Sequence, residues 1–231
     1  MTARDTVRVH GPDAATYLQG QISQDVDALA NGDTAWSLVL QPNGKVAAWF
    51  RIHRVGDTDL LLDTDTGHAD ALIARLERFK LRTDATIEVV DTPIPSPVDW
   101  PGAADPADEE QRIRAGMPRM GAELTEDTIP GEGGQRLIDL SVSFTKGCYT
   151  GQELVARIDS RGGNVPRPVR ILSAEGPLDV GAVVTVDGAE VGAVTSAAGT
   201  VALAPLMRKV EIGDTVDVGG IAAVVSEPAG S

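Results

Sequence analysis

The sequence predicts an α+β protein, with helices packed on a largely antiparallel sheet, followed by a small antiparallel β-barrel. Three observations predict it. Residues 6–91 alternate short apolar runs with two helical stripes in the order β-α-β-β-β-α-β. Pro93, Pro95, Pro97, Pro101 and Pro106 then break the chain into an extended connector over 92–106. After Pro166 and Pro168, short valine-rich runs divided by turns replace the helical patterns. These breaks divide the chain into an α+β region, 1–166, and a barrel, 167–231.

TVRV (6–9) reads as a first strand. In GPDAATYLQGQIS, Pro12 suits a first helical turn, Asp13 complements its positive end, and Ala14, Tyr17, Leu18 and Ile22 recur at helical spacing. Gln19 and Gln21 flank Gly20 there. Either they line an opening, or Gly20 lets the helix approach the sheet. TAWSLVL and KVAAWFRIHRV alternate as strands, and Pro-Asn-Gly in QPNGK marks the turn between them. Trp36 and Trp49 lie on those strands, to stack on a flat ligand or to fill the core. Arg51 and His53 share the face of Trp49. DLLLD (59–63) is a further strand. Ala69, Leu72, Ile73, Leu76 and Phe79 form one helical stripe, and ATIEVVD (85–91) returns to strand. A short helix is expected over 107–115. Residues 116–134, rich in Gly and Pro, are expected to wrap the surface. In the barrel region VVTVDGAEVGAV is a hairpin with Asp187-Gly188 at its turn, and Gly181, Gly192, Gly199 and Gly213 fit bends.

Composition removes several functions. The net charge of −14 repels nucleic acid and anionic lipid. One cysteine excludes an internal disulfide and any metal site built on several thiolates of one chain. His10, His53 and His68 lack ligand spacing, and no phosphate loop or dinucleotide fingerprint occurs. No apolar run reaches the length of a transmembrane helix, and MTARDTVRVH has no signal-peptide pattern. A cytoplasmic monomer is expected, with no metal, nucleic-acid or membrane partner.

The single cysteine stands in KGCYTGQE (146–153). Thr150 and Glu153 form the pattern T-x-x-E, a capping box, with Tyr149 and Leu154 placed as a hydrophobic staple. A helix is expected from Gly151 to Asp159. Cys148 would then lie beside a helix N-terminus, where the dipole and a nearby Lys146 ammonium favour thiolate. Gly147 and Gly151 leave room for a ligand, and the first-turn amides suit a carboxylate. The alternative is a small buried hydrophobe in a capped turn. Arg157, Arg161, Arg167 and Arg170 follow. Helical spacing puts Arg157 and Arg161 on one face, where they hold an anion or remain solvated beside Asp159.

KGCYTGQE followed by VAR and RGG resembles the signature of the YgfZ folate-binding family, part of the superfamily of the glycine-cleavage T-protein, an aminomethyltransferase. GPDAATYLQGQISQDV, LQPNGKV, RIRAGMP with TEDTIPGE, and GAVTS (192–196) resemble further family landmarks, in family order from about residue 7 to 205. The resemblance implies a T-protein-like fold: α+β domains around a central folate-sized opening, with a C-terminal β-barrel. It implies tetrahydrofolate or a derivative as ligand and a role in making or repairing iron–sulfur clusters in client enzymes. The motif cysteine and lysine fall on Cys148 and Lys146, the residues expected to carry chemistry. Gln19, Arg112, Gly147, Tyr149, Gly151, Gln152, Glu153 and Arg157 are the expected cofactor contacts.

Two positions depart from the superfamily. The paired aspartates of the T-protein fall on Ala48 and Trp49, which hold no charge and move no proton. A glutamate that pairs with the pterin falls on Arg114, which only donates; Glu123, Glu126 or Glu132 would have to substitute. The main expectation is thus a folate-binding assembly factor for iron–sulfur proteins. A folate-dependent one-carbon transferase and a scaffold that binds no ligand are the alternatives.

Overall fold

The computed structural model describes residues 4–94 and 108–227. Most of the expected proline-rich connector lies outside the described residues. The first sheet contains β1 (Arg4–His10), β2 (Thr34–Leu40), β3 (Val46–Gly56), β4 (Asp59–Asp65) and β5 (Thr86–Val90), in the order β2-β3-β4-β1-β5. Every pairing is antiparallel. Helices α1 (Ala14–Gln19) and α2 (Ala69–Arg78) are shorter than their apolar stripes. The stripes nevertheless do what their spacing predicts. Ala14, Tyr17, Leu18, Leu72 and Leu76 pack with Val7, Val9, Ala48, Phe50, Ile52, Leu60 and Leu62 in one core.

The opposite face of the sheet is also buried, which is why TAWSLVL reads as a nearly continuous apolar run. Trp36, Leu38, Leu40 and Trp49 face a second core built from Ala115, Met117, Met120, Leu124, Leu137, Ile138, Val142, Tyr149 and Val155. The segment 116–134 therefore does not simply wrap the surface, because its Met and Leu side chains close this core. It follows α3 (Glu109–Arg114) and ends in a 3₁₀ turn over Pro130–Gly133. Two further helices, α4 (Gln135–Ser141) and α5 (Gln152–Asp159), flank the KGCYTGQE segment. Helix α4 had no counterpart in the sequence reading.

The second sheet holds β6 (Val169–Ala174), β7 (Val183–Val186), β8 (Ala189–Ala193), β9 (Ser196–Ala198), β10 (Val201–Pro205), β11 (Thr215–Val218) and β12 (Ile221–Ser226). Its order is β8-β7-β11-β12-β6-β10-β9. A bridge from Gly192 in β8 to Leu206 after β10 curls it toward closure. A Cβ at Gly192 would lie 2.4 Å from the Pro205 carbonyl oxygen, so this approach requires glycine. The β7–β8 turn is the expected one: Asp187 and Gly188 both have positive φ, 51° and 76°, the type I′ geometry that matches strand twist. The barrel interior is filled by Leu172, Val184, Val191, Leu206, Val216 and Val225. Its outer side takes Ile113 of α3 against Val169, Ile171, Val201 and Leu203.

Candidate functional site

The KGCYTGQE turn is held from three directions. Lys146, which sequence reasoning set beside the thiol, commits its ammonium elsewhere. Nζ donates to the carbonyls of Gln19, Ile22 and Gln24 at 2.7, 2.8 and 2.8 Å. Desolvation pulls its pKa down to about 8, against the attraction of Asp25 and Asp27. The Thr150 amide donates to the Gly20 carbonyl at 3.3 Å, a second tie to the end of α1. Tyr149 is buried in the second core, with the Lys146 ammonium 5.3 Å from its ring centre.

The expected capping box does not form. The N-cap of α5 is Gly151 with φ 86°, left-handed, and no side chain caps the helix. Gln152 Oε1 instead accepts from the Tyr149 amide at 3.1 Å. A Cβ at Gly151 would lie 2.7 Å from the Gln41 carbonyl oxygen and 2.7 Å from Leu40 Cβ. Gly44, at the tip of the β2–β3 hairpin, faces Leu154 as closely, with 2.5 Å from a built Cβ to Leu154 Cβ. The two glycines let hairpin and turn interlock, so the room at Gly151 serves the protein's own backbone rather than a ligand. A Cβ at Gly147 would meet nothing within 4 Å. Between these fixed points Cys148 is a free, exposed thiol. It is not the buried hydrophobe of the alternative reading.

Among the described residues, three recesses lie around α5. The first, about 390 Å³, lies between the end of α3, the 130–134 turn, α4, α5 and the barrel. Glycines 116, 131, 133, 134, 162 and 163 open it, and Ile138, Val155, Ile158, Val165 and Val169 give it apolar sides. Gln135, Arg136, Asp159, Asn164, Arg170, Arg208 and Glu227 supply its polar groups. The second, about 530 Å³, lies between α5 and Pro166 and Arg208 at the barrel's edge. The third, about 410 Å³, sits at the hairpin tip and is lined by Pro42, Asn43, Tyr149, Gly151, Gln152, Glu153, Leu154 and Arg157.

The expected cofactor residues therefore divide. Tyr149, Gly151, Gln152, Glu153 and Arg157 meet in the third recess, and none of the eight lines the first. Gln19 does not reach an opening: its amide nitrogen donates to Asp25 at 2.9 Å and its oxygen accepts from the Val26 amide at 2.7 Å. Gln21 accepts from Arg75. Arg112 is buried. It makes a two-pronged contact with Glu109 at 3.0 and 2.7 Å, reaches Glu123 at 3.4 Å, and donates to the Met117 carbonyl. Glu123 is no spare pterin acceptor either. Oε1 accepts from Thr195 and Ser196 hydroxyls, each at 2.6 Å, and Oε2 accepts from the Arg119 amide at 3.0 Å. It ties the central segment to the barrel. Glu132 accepts from the backbone amides of Ile129 and Arg167, and burial raises its pKa. Arg114 is exposed and pairs with Glu110. Arg170 pairs with Glu227.

Trp36 and Trp49 stack on each other, centroids 4.1 Å apart, inside the second core. Trp49 Nε1 donates to Ser141 Oγ at 3.0 Å. Ala48 and Trp49 are both fully buried, so the positions of the paired aspartates are apolar and closed. The lining of the first recess was missed by sequence reasoning. Its signal was present in GEGG (131–134) and GG (162–163), two glycine clusters facing each other across the gap.

Comparisons with known proteins agree with this architecture. A family model described as the CAF17 C-terminal β-barrel domain matches residues 167–230. An uncharacterized protein of Haemophilus influenzae is 29% identical over 71% of this chain and 69% of its own length. A Neurospora crassa protein named iron-sulfur cluster assembly factor IBA57 homolog, mitochondrial, is 23% identical over 70% of this chain and 50% of its own. A Pectobacterium carotovorum protein named tRNA-modifying protein YgfZ is 27% identical over 67% of this chain and 63% of its own. The chain thus spans about half to two thirds of these relatives. The crystal structure of glycine cleavage system aminomethyltransferase T from Bartonella henselae superposes with a TM-score of 0.78, covering 98% of this chain and 83% of that one. At 17% identity that likeness concerns the fold alone.

Proposed function

We propose that this chain is a YgfZ-like accessory factor for iron–sulfur proteins that binds tetrahydrofolate and presents Cys148 to a client or assembly partner, a reading supported by its likeness to the YgfZ and IBA57 relatives and to the CAF17 barrel domain. One observation carries the reading. The lone thiol is exposed on a turn that Lys146, Thr150 and Gly151 pin to α1 and to the β2–β3 hairpin. A packing cysteine would be buried. A thiol held outward on a fixed turn meets reactants from solution with little ordering left to do.

The first recess suits a folate by chemistry. Apolar sides flank a flat ring, the Asp159 carboxylate accepts from amino and ring N–H groups, and the side-chain oxygens of Gln135 and Asn164, whose nitrogens donate to Asp139 and to the Arg161 carbonyl, add further acceptors. Arg136 and Arg208 face a negative end. Tetrahydrofolate, when bound, supplies a carrier for one-carbon units. The residues above bind and orient it, and the β-branched side chains exclude water. Aminomethyl transfer by the T-protein route is disfavoured, because Ala48 and Trp49 provide no carboxylate. The tRNA modification in the name of the bacterial relatives reaches this chain as an indirect role, since a surface of net charge −14 repels a polyphosphate.

The reading places the protein in the cytoplasm and acting as a monomer. In a strain lacking its own YgfZ-like protein, the wild-type chain should restore cluster-enzyme activity. Cys148→Ala should fold and fail to restore it; full rescue would remove the thiol from the mechanism. Titration calorimetry with tetrahydrofolate tests the ligand. Heat and a thermal shift, both lost in Asp159→Ala, are expected, and absence of both would favour the scaffold alternative.

A further inference from the structure

The second recess reverses the sign of the molecule. The chain carries 34 acidic residues against 20 basic ones, yet the charged groups lining this recess are Arg157, Arg161 and Arg208, with no carboxylate among them. None of the three forms an ion pair among the described residues. The nearest acid on the adjoining turn, Glu132, is occupied by the amides of Ile129 and Arg167. Glu153 lies in the third recess. Ile129, Leu154, Ile158 and Pro166 form an apolar floor beneath the guanidiniums. Three unpaired cations over aliphatic carbon suit a ligand with carboxylates spaced along an aliphatic backbone. A compact anion would leave the floor uncovered.

The second recess is also continuous with the first. Ile158, Asn164 and Arg208 line both. A ligand with its ring in the first recess can lead a tail past Asn164 and Arg208 into the second. Resting on the folate reading above, we propose that the second recess binds the oligo-γ-glutamyl tail of a polyglutamylated folate, and that this chain prefers such forms over the monoglutamate. Arg157 in the last turn of α5 and Arg161 in the turn just past its C-terminus would meet successive carboxylates.

The test compares tetrahydrofolate carrying one and five glutamates, and free penta-γ-glutamate, by calorimetry on the full chain. Wild type should bind the pentaglutamate about tenfold tighter than the monoglutamate, with the advantage shrinking as salt rises. Arg161→Glu should abolish most of that advantage and leave monoglutamate binding unchanged. Equal affinity for the two forms in wild type would overturn the proposal and leave the folate reading intact. If neither folate binds, the folate reading fails, and the free pentaglutamate decides the recess. Salt-sensitive binding lost in Arg161→Glu would still support a polycarboxylate site, and no binding would overturn it.

Discussion

Glu123 is the joint between the central segment and the barrel, and its removal has a calculable cost. Its side chain is fully buried and accepts four hydrogen bonds. In Glu123→Ala, the Thr195 hydroxyl keeps the Leu203 carbonyl at 3.1 Å. The Ser196 hydroxyl and the Arg119 amide lose their acceptor, and buried Arg112 is left with Glu109. Two orphaned donors cost about 1–3 kcal/mol each. Taking the low end of that range, because neighbouring groups relax toward the gap, and adding the weakened buried pair gives about 3–5 kcal/mol. A chain of this length loses about 2–4 °C per kcal/mol, so Tm should fall by about 10 °C. Glu123→Gln should lose about half of that. Its amide oxygen still accepts from Arg119, and its nitrogen can face hydroxyls turned to accept, but the charge opposite Arg112 is gone. Circular dichroism melts of the three proteins suffice. A Glu123→Ala protein melting within about 2 °C of wild type would refute the claim that this carboxylate welds the two parts.

Three further outcomes follow from the same geometry. Gly151→Ala should cost about 2–4 kcal/mol in urea unfolding, because the new methyl meets Leu40 and Gln41 and the left-handed φ is strained; a cost below about 0.5 kcal/mol would contradict the interlock. Lys146 has a folded pKa near 8, below its unfolded value, so the unfolded state binds more protons between about pH 8 and 10.5. Wild-type stability relative to Lys146→Met should therefore rise across that window, by about 1–2 kcal/mol after allowance for partial exposure; a flat or falling difference would contradict it. Trp49→Asp should not create aminomethyl transfer and should destabilise by about 3 kcal/mol or more, since the carboxylate would be buried among apolar groups; folate-dependent turnover by that variant would contradict the structural reading.

The sheet, its hairpins and the barrel were legible because each rests on local rules: period-two alternation, Pro-Asn-Gly and Asp187-Gly188. The capping box misled because T-x-x-E is a pattern of two side chains, and Gly151 already supplies a left-handed N-cap that needs neither. Lys146 was read as a site residue from its place beside Cys148 in the motif, and Arg112 from the family resemblance. Their partners are 122–127 residues away for Lys146 and a buried carboxylate for Arg112, which no local pattern reveals. Helix α4 was missed because QRLIDLS is short and follows four residues with three glycines. The recesses around α5 were illegible because their walls come from segments distant in sequence, although the facing glycine clusters marked where backbone would be bared.

The account stands on an accessible thiol at Cys148. The most direct measurement is the rate at which an aromatic disulfide reagent modifies it in the native protein and in denaturant. An exposed sulfur on a fixed turn should react in the native state within about tenfold of the unfolded rate. A native rate slower by about a thousandfold, matching only global unfolding, would mean the sulfur is sealed and would contradict the account.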